Sequence, residues 1–303
     1  MANTTFSGPV RSENGFKLTS KTASTGVVHD RTFGTPAKDA RRYYLEEYFS
    51  KKPGLNAVAI IDPDADSASD LAAFVIANRD FETLGTNYTT ALTTFAAHQA
   101  GILMTTATAD QDQGILLPHL DTNQTAWSGT KWGTENQVQW ECSIQAAQTD
   151  NEKIWAGLKL TNDQLIATDD NHILFKYATD AGNGESLTST TNWHVVHSIG
   201  GTDYISRLPI AFAADTPYHL KIVIDSDRKA TVFVNGIQYN LTSTSGSTGG
   251  TAVTAVQPGK AVVKSAALTN DVNLIPYIGI ENGDAAAAVL NVHYTAISRH
   301  VYE

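Results

Sequence analysis

The sequence predicts a mostly β protein, an antiparallel β-sandwich with an extended N-terminal arm and a short helix. A hydrophobic fraction of 42% beside 17% charged residues in 303 residues is enough for a sizeable core. From about Leu71, short apolar segments are separated by Gly, Asn, Asp and Pro with no helical crossover between them, which excludes a parallel α/β fold. The segment Gln137 to Ala146 alternates strictly. Val138, Trp140, Cys142, Ile144 and Ala146 form one face; Gln137, Gln139, Glu141, Ser143 and Gln145 lie on the other, so one side is expected in the core and one in solvent.

Taken in order, residues 1–34 are rich in Ser, Thr, Gly and Asn without a period that could bury a face, and read as an arm. A helix is expected next. Thr35 can cap it, Pro36 suits its first position, and Ala37, Ala40, Tyr44 and Tyr48 recur at helical spacing before Pro53-Gly54 ends it. The aromatic group Tyr43, Tyr44, Tyr48 and Phe49 must pack on its own sandwich or on a partner subunit. Further strands are expected at Ile154 to Leu160, Ile173 to Tyr177, His194 to Ile199, Tyr218 to Asp225, Ala230 to Tyr239, Tyr277 to Glu281 and Val289 to Ile297. Asn235-Gly236 reads as a hairpin turn, Asn282-Gly283 as a comparable one, and 243–250 as a flexible loop. The organisation expected is a basic arm with a helix over residues 1–60 and a sandwich domain over 61–303.

Charge divides the chain the same way. Residues 1–60 hold nine Lys/Arg against five acids, a net of +4 inside a chain of −10, which leaves −14 for the remainder. A basic arm on an acidic body suits electrostatic docking, and equally an ordinary solvated tail. Cys142, the single cysteine, lies in the apolar alternation and reads as a small buried hydrophobe. The opening residues lack a signal-peptide pattern, and the longest aliphatic run, Leu71 to Ala77, is too short to span a bilayer. Synthesis in a cytoplasm without membrane association is therefore expected, and sequons such as Asn87-Tyr88-Thr89 carry no weight.

The hairpin over Tyr218 to Gly236 and the strands Tyr277 to Glu281 and Leu290 to Ile297 resemble the concanavalin-like or laminin-G-like jelly roll. That resemblance implies two curved sheets over about residues 70–303, with a concave face able to bind sugars or carry hydrolase residues. The opening Asn3 to Lys17, and the blocks Asn78 to Asn87 and Leu116 to Trp127, resemble virion proteins of tailed phages of marine and freshwater bacteria. This second resemblance implies a capsid decoration or cement protein.

Few residues promise chemistry. Concanavalin-like glycosidases set several carboxylates along one strand, but Glu141 has no acidic partner two or four residues away, so only another strand could supply one. Asp62-Pro-Asp-Ala-Asp66 opens like a calcium loop yet has Ser67 and Ala73 where Gly and Glu are needed, and Asp169-Asp170-Asn171-His172 suits a turn leading into a strand. His194 and His197, three apart in a strand, should face opposite sides. The five tryptophans suit a core better than a sugar-stacking platform, Trp140 above all. No nucleotide loop, nucleophile elbow or cysteine pair occurs.

The sequence therefore points to a non-enzymatic virion structural protein without cofactor, metal or direct nucleic-acid contact. It would dock on the shell of the major capsid protein, as an oligomer on the capsid surface, through Arg11, Phe16, Lys17, Arg31, Arg41 and Arg42. The alternative is a carbohydrate-binding virion protein that attaches to host glycans; a cryptic glycan hydrolase is a third class.

Overall fold

The computed structural model describes residues 19–21, 28–30, 42–49, 54–55, 82–93, 101–109, 112–117, 132–150, 152–160, 169–179, 187, 189–245, 250–283 and 286–301. Strands dominate them. The first are β1 (Thr19–Lys21), β2 (Val28–Asp30), β3 (Arg42–Glu47), β4 (Gly54–Leu55), β5 (Glu82–Thr86) and β6 (Tyr88–Thr93). Next come β7 (Gly101–Thr106), β8 (Gln113–Leu117), β9 (Trp132–Gly133), β10 (Gln139–Ala146), β11 (Glu152–Lys159), β12 (His172–Ala178) and β13 (Asn192–Ile199). The last are β14 (Thr202–Ala211), β15 (Tyr218–Ile224), β16 (Ala230–Val234), β17 (Ile237–Tyr239), β18 (Thr251–Ala252), β19 (Asn273–Asn282) and β20 (Val289–His300).

Two sheets form the sandwich. One has eight strands in the order β17-β16-β15-β10-β20-β7-β6, with β3 also on β20; the other has ten, in the order β18-β14-β13-β12-β11-β19-β8-β5-β4, with β9 on β19. Their pairings are antiparallel except β14 with β18 and β4 with β5. Trp140, Cys142, Ile144, Leu220, Ile222 and Leu290 of the first sheet meet Ile154, Ala156, Phe175, Trp193, Val195 and Ile278 of the second in one continuous core. Asn235 and Gly236, with φ of 49° and 77°, supply the two left-handed residues that a tight β16–β17 hairpin requires.

The expected strands from Gln137 onward are present, and Cys142 is buried. His194 stands opposite Lys176 on β12 and His197 opposite Ile173, so the two histidines do face opposite sides. The run Asp169 to His172 is a turn into β12, with the Asp169 carbonyl 3.0 Å from His172 Nδ1 and its carboxylate 2.8 Å from Lys159 Nζ. Asp62 to Asp66, Trp127, residues 246–249 of the expected loop and residues 284–285 beside the Asn282-Gly283 turn lie outside the described residues. Within the arm, β1 and β2 form a short antiparallel pair.

The expected helix is corrected. Arg42–Glu47 is a strand, antiparallel to β20 with Leu45 opposite Ile297 and Tyr44 opposite Ser298. Residues 40, 44 and 48 are four apart, a spacing that falls on one face of a helix and equally on one face of a strand. Long-range pairing decides between them. β20 has twelve residues, of which β7 covers the edge only at Val289 to Val292; β3 completes that edge from Thr295 to His300. The aromatic group packs on its own sandwich: Phe49 is buried, the Tyr43 ring lies 5.7 Å from Trp132 and the Tyr48 ring 4.8 Å from Tyr294.

A second correction concerns the outward faces. On the ten-stranded sheet, Lys153, Trp155, Lys159, Lys176 and Tyr277 point away from the inter-sheet core, yet all are buried. Lys153 is paired with Glu281 at 2.8 Å, Lys159 with Asp169 at 2.8 Å, and Lys176 lies 5.7 Å from the Trp155 ring. For Lys153 and Lys159, neutralising partners are what make such burial tolerable. On β10, Glu141 likewise faces outward but is only 5% exposed.

Candidate functional site

The eight-stranded sheet carries a shallow depression on its outward face, built from two cross-strand rows. In the first, Lys221 of β15 lies opposite Glu141 of β10, Glu141 opposite Ala296 of β20, and Ala296 opposite Glu46 of β3. In the second, Gln139 lies opposite Ser298 and Ser298 opposite Tyr44. Between long neighbours the methyl group of Ala296 leaves a dip, lined by Tyr44, Glu46, Gln139, Glu141, Lys221 and Ser298 among others.

Glu141 organises the floor. The Tyr294 hydroxyl donates to its Oε1 at 2.7 Å, and Lys221 Nζ lies 3.4 Å from its Oε2. Burial first, then the Glu141 charge, pushes the Tyr294 phenol far above its ordinary value, so it stays a proton donor. His219 Nε2 approaches Oε2 at 4.0 Å, but burial and then Lys221 push this imidazole down to about 4, so it is neutral near pH 7 and forms no ion pair there. Arg42 fastens β3 to the wall: its Nη2 donates to the Gln137 carbonyl at 2.8 Å and to Ser298 Oγ at 3.0 Å.

Of the residues expected to dock on a capsid, Arg42 is therefore in the sheet edge beside this depression, whereas Arg11, Phe16, Lys17, Arg31 and Arg41 lie outside the described residues. Glu46 and Tyr44 were hidden from sequence reasoning by the helical assignment. Glu46 is the acidic neighbour that Glu141 lacks within its own strand. The two lie on the strands either side of β20, two inter-strand steps apart.

No protein-family model and no curated protein matches this sequence. Among solved structures, a protein of unknown function from Shewanella oneidensis MR-1 aligns with TM-score 0.46 at 11% identity over 86% of this chain and 87% of that one. Peanut lectin aligns with TM-score 0.44 at 10% identity, covering 87% of this chain and 100% of the lectin. A Bacillus licheniformis β-glucanase aligns with TM-score 0.42 at 10% identity over 84% and 97% of the two chains. The chain is a two-sheet, mostly antiparallel β-sandwich.

Proposed function

We propose that the chain is a non-catalytic, glycan-binding virion protein whose sandwich holds sugar in the Ala296 depression. The supporting observation is the pair of cross-strand rows, which gather the Glu46 carboxylate, Gln139 amide, Ser298 hydroxyl and Lys221 ammonium beside the Tyr44 ring. A sugar offers hydroxyl donors and acceptors around an apolar C–H face, and this set meets both demands on rigid strands. Binding is favoured over hydrolysis because the Glu141 oxygens already serve Tyr294 and Lys221.

A glycan array probed with the full chain should show a saccharide ligand. Glu46→Gln and Tyr44→Ala should each weaken it by about 10–100-fold, the loss expected of one charge-assisted hydrogen bond or an equivalent contact, with little change in Tm. Unchanged affinity in both variants would reject the site. Turnover of a polysaccharide that disappears in Glu141→Gln would overturn the non-catalytic reading.

The basic character of residues 1–34, where Arg11, Lys17, Lys21 and Arg31 stand against Glu13 and Asp30 in a chain of net charge −10, favours a second role compatible with the first: docking of the basic arm on the major capsid protein shell, which stabilises the assembled particle by mass action. Deleting residues 1–34 should leave a folded sandwich that no longer decorates bare capsids. Capture of the full chain should weaken with added salt, because contacts between exposed charges are screened beyond about 8–10 Å. Equal capture by the truncated protein rejects the docking arm.

A further inference from the structure

The two rows that build the depression are followed by a third on the same outward face. Tyr294 of β20 lies opposite Ser143 of β10, and Ser143 opposite His219 of β15. Tyr48 comes directly after β3, and the pleat sends Tyr44, Glu46 and Tyr48, at alternate positions, to one side. The contacts agree with this alternation. The Tyr48 ring lies 4.8 Å from that of Tyr294, whose hydroxyl is fixed to Glu141 Oε1 at 2.7 Å, while the next residue, Phe49, is buried in the inter-sheet core. Tyr48 is nevertheless 54% exposed. A ring seated on a second, anchored ring and open to solvent is a rigid apolar platform.

Two aromatic rings therefore bracket a polar strip along the strand direction. Four residues separate Tyr44 from Tyr48, about 13 Å of extended chain, a spacing that suits separate rings of one linear ligand better than the two faces of a single pyranose. Between them Ser298, Gln139 and Glu46 offer hydrogen-bonding groups. The charges of the strip balance, the Glu46 and Glu141 carboxylates against the Lys221 ammonium and the Arg42 guanidinium. We infer that this strip takes a neutral, linear polysaccharide, held at internal residues along β3 with Tyr44 and Tyr48 stacked on different sugar rings. The inference rests on sugar binding in the Ala296 depression and specifies its ligand. A polyanionic chain is disfavoured because it would set its charges against Glu46 and Glu141, whereas Lys221 already serves Glu141, and Arg42 the Gln137 carbonyl and Ser298.

The test presents the full chain with linear glucans and mannans of one to six residues, beside oligouronates of equal length. Affinity should rise by about tenfold from the monosaccharide to the tetrasaccharide of the neutral series that binds, the gain expected of one added aromatic contact. Tyr48→Ala should flatten this rise at an unchanged Tm, and Tyr48→Phe, which keeps the ring, should preserve it. Affinity independent of chain length, a rise that survives Tyr48→Ala, or a preference for oligouronates overturns the linear-chain inference and leaves sugar binding in the depression standing. A saccharide bound on the glycan array while every linear oligomer is refused has the same meaning. A chain that binds no saccharide at all overturns both readings.

Discussion

Lowering the pH from 7 to 4 should destabilise the sandwich, because its interior holds histidines that can be buried only as neutral rings. His194 and His197 are fully buried on opposite faces of β13. Burial is the largest cause that pushes each down to about 4. Arg207 and Lys176 add to the effect on His194, which faces Lys176 on β12 and Arg207 on β14, and His172 adds to that on His197, which stacks on Tyr204 at 4.7 Å.

The sign follows from linkage. A base whose folded value is depressed is fully tolerated above its unfolded value near 6.5, and stability is lost as pH falls from there toward about 4, since the unfolded chain takes up the proton first. Each histidine accounts for about 3 kcal/mol over that window, and the pair together approaches the about 5–15 kcal/mol by which an ordinary domain is stable. His219, also pushed down to about 4, works in the same direction. Thermal melts between pH 7 and pH 4 should show Tm falling steeply below about 6, and His194→Gln with His197→Gln should flatten the dependence. A Tm that holds steady from pH 7 to pH 4.5 would remove the buried neutral imidazoles from the account.

The strands most legible in the sequence carry a large apolar residue at every second position on one face, as at Trp140, Cys142 and Ile144 or Leu220, Ile222 and Ile224, because the pleat converts that spacing directly into a buried face. β14 escaped notice: Pro209 interrupts it, and its inner face includes the polar Ser206. β3 was misread since a spacing of four satisfies both periods, and only the open edge of β20, distant in sequence, selects the strand. The candidate site inherits that error. Its rows require the register of β3 against β20 as well as that of β10, so Glu46 could not be set beside Glu141 from either segment alone. Polar burial was equally hidden, for Lys153 and Lys159 look like a solvated face until Glu281 and Asp169 arrive from remote positions to neutralise them.

Trp140→Ala should destabilise the sandwich by about 3–5 kcal/mol, the cost of deleting a large buried aromatic and leaving a cavity. Trp140 is completely buried, with Ile222 of β15 and Ile297 of β20 on either side in the central strands of the eight-stranded sheet. Close-packed neighbours held in two ladders can relax little into the vacated volume, which places the loss toward the upper part of that range. The indole N–H has no hydrogen-bond partner among the described residues, so removing it sacrifices no bond; the cost belongs to packing alone. Trp140→Phe should therefore retain most of the stability, since it keeps an aromatic ring and discards the unpartnered donor. Denaturant unfolding of the two variants separates these contributions. An alanine variant as stable as the parent would mean that residue 140 does not face the core, and the register of β10 against both neighbours would have to shift by one residue, carrying Glu141 out of the depression with it.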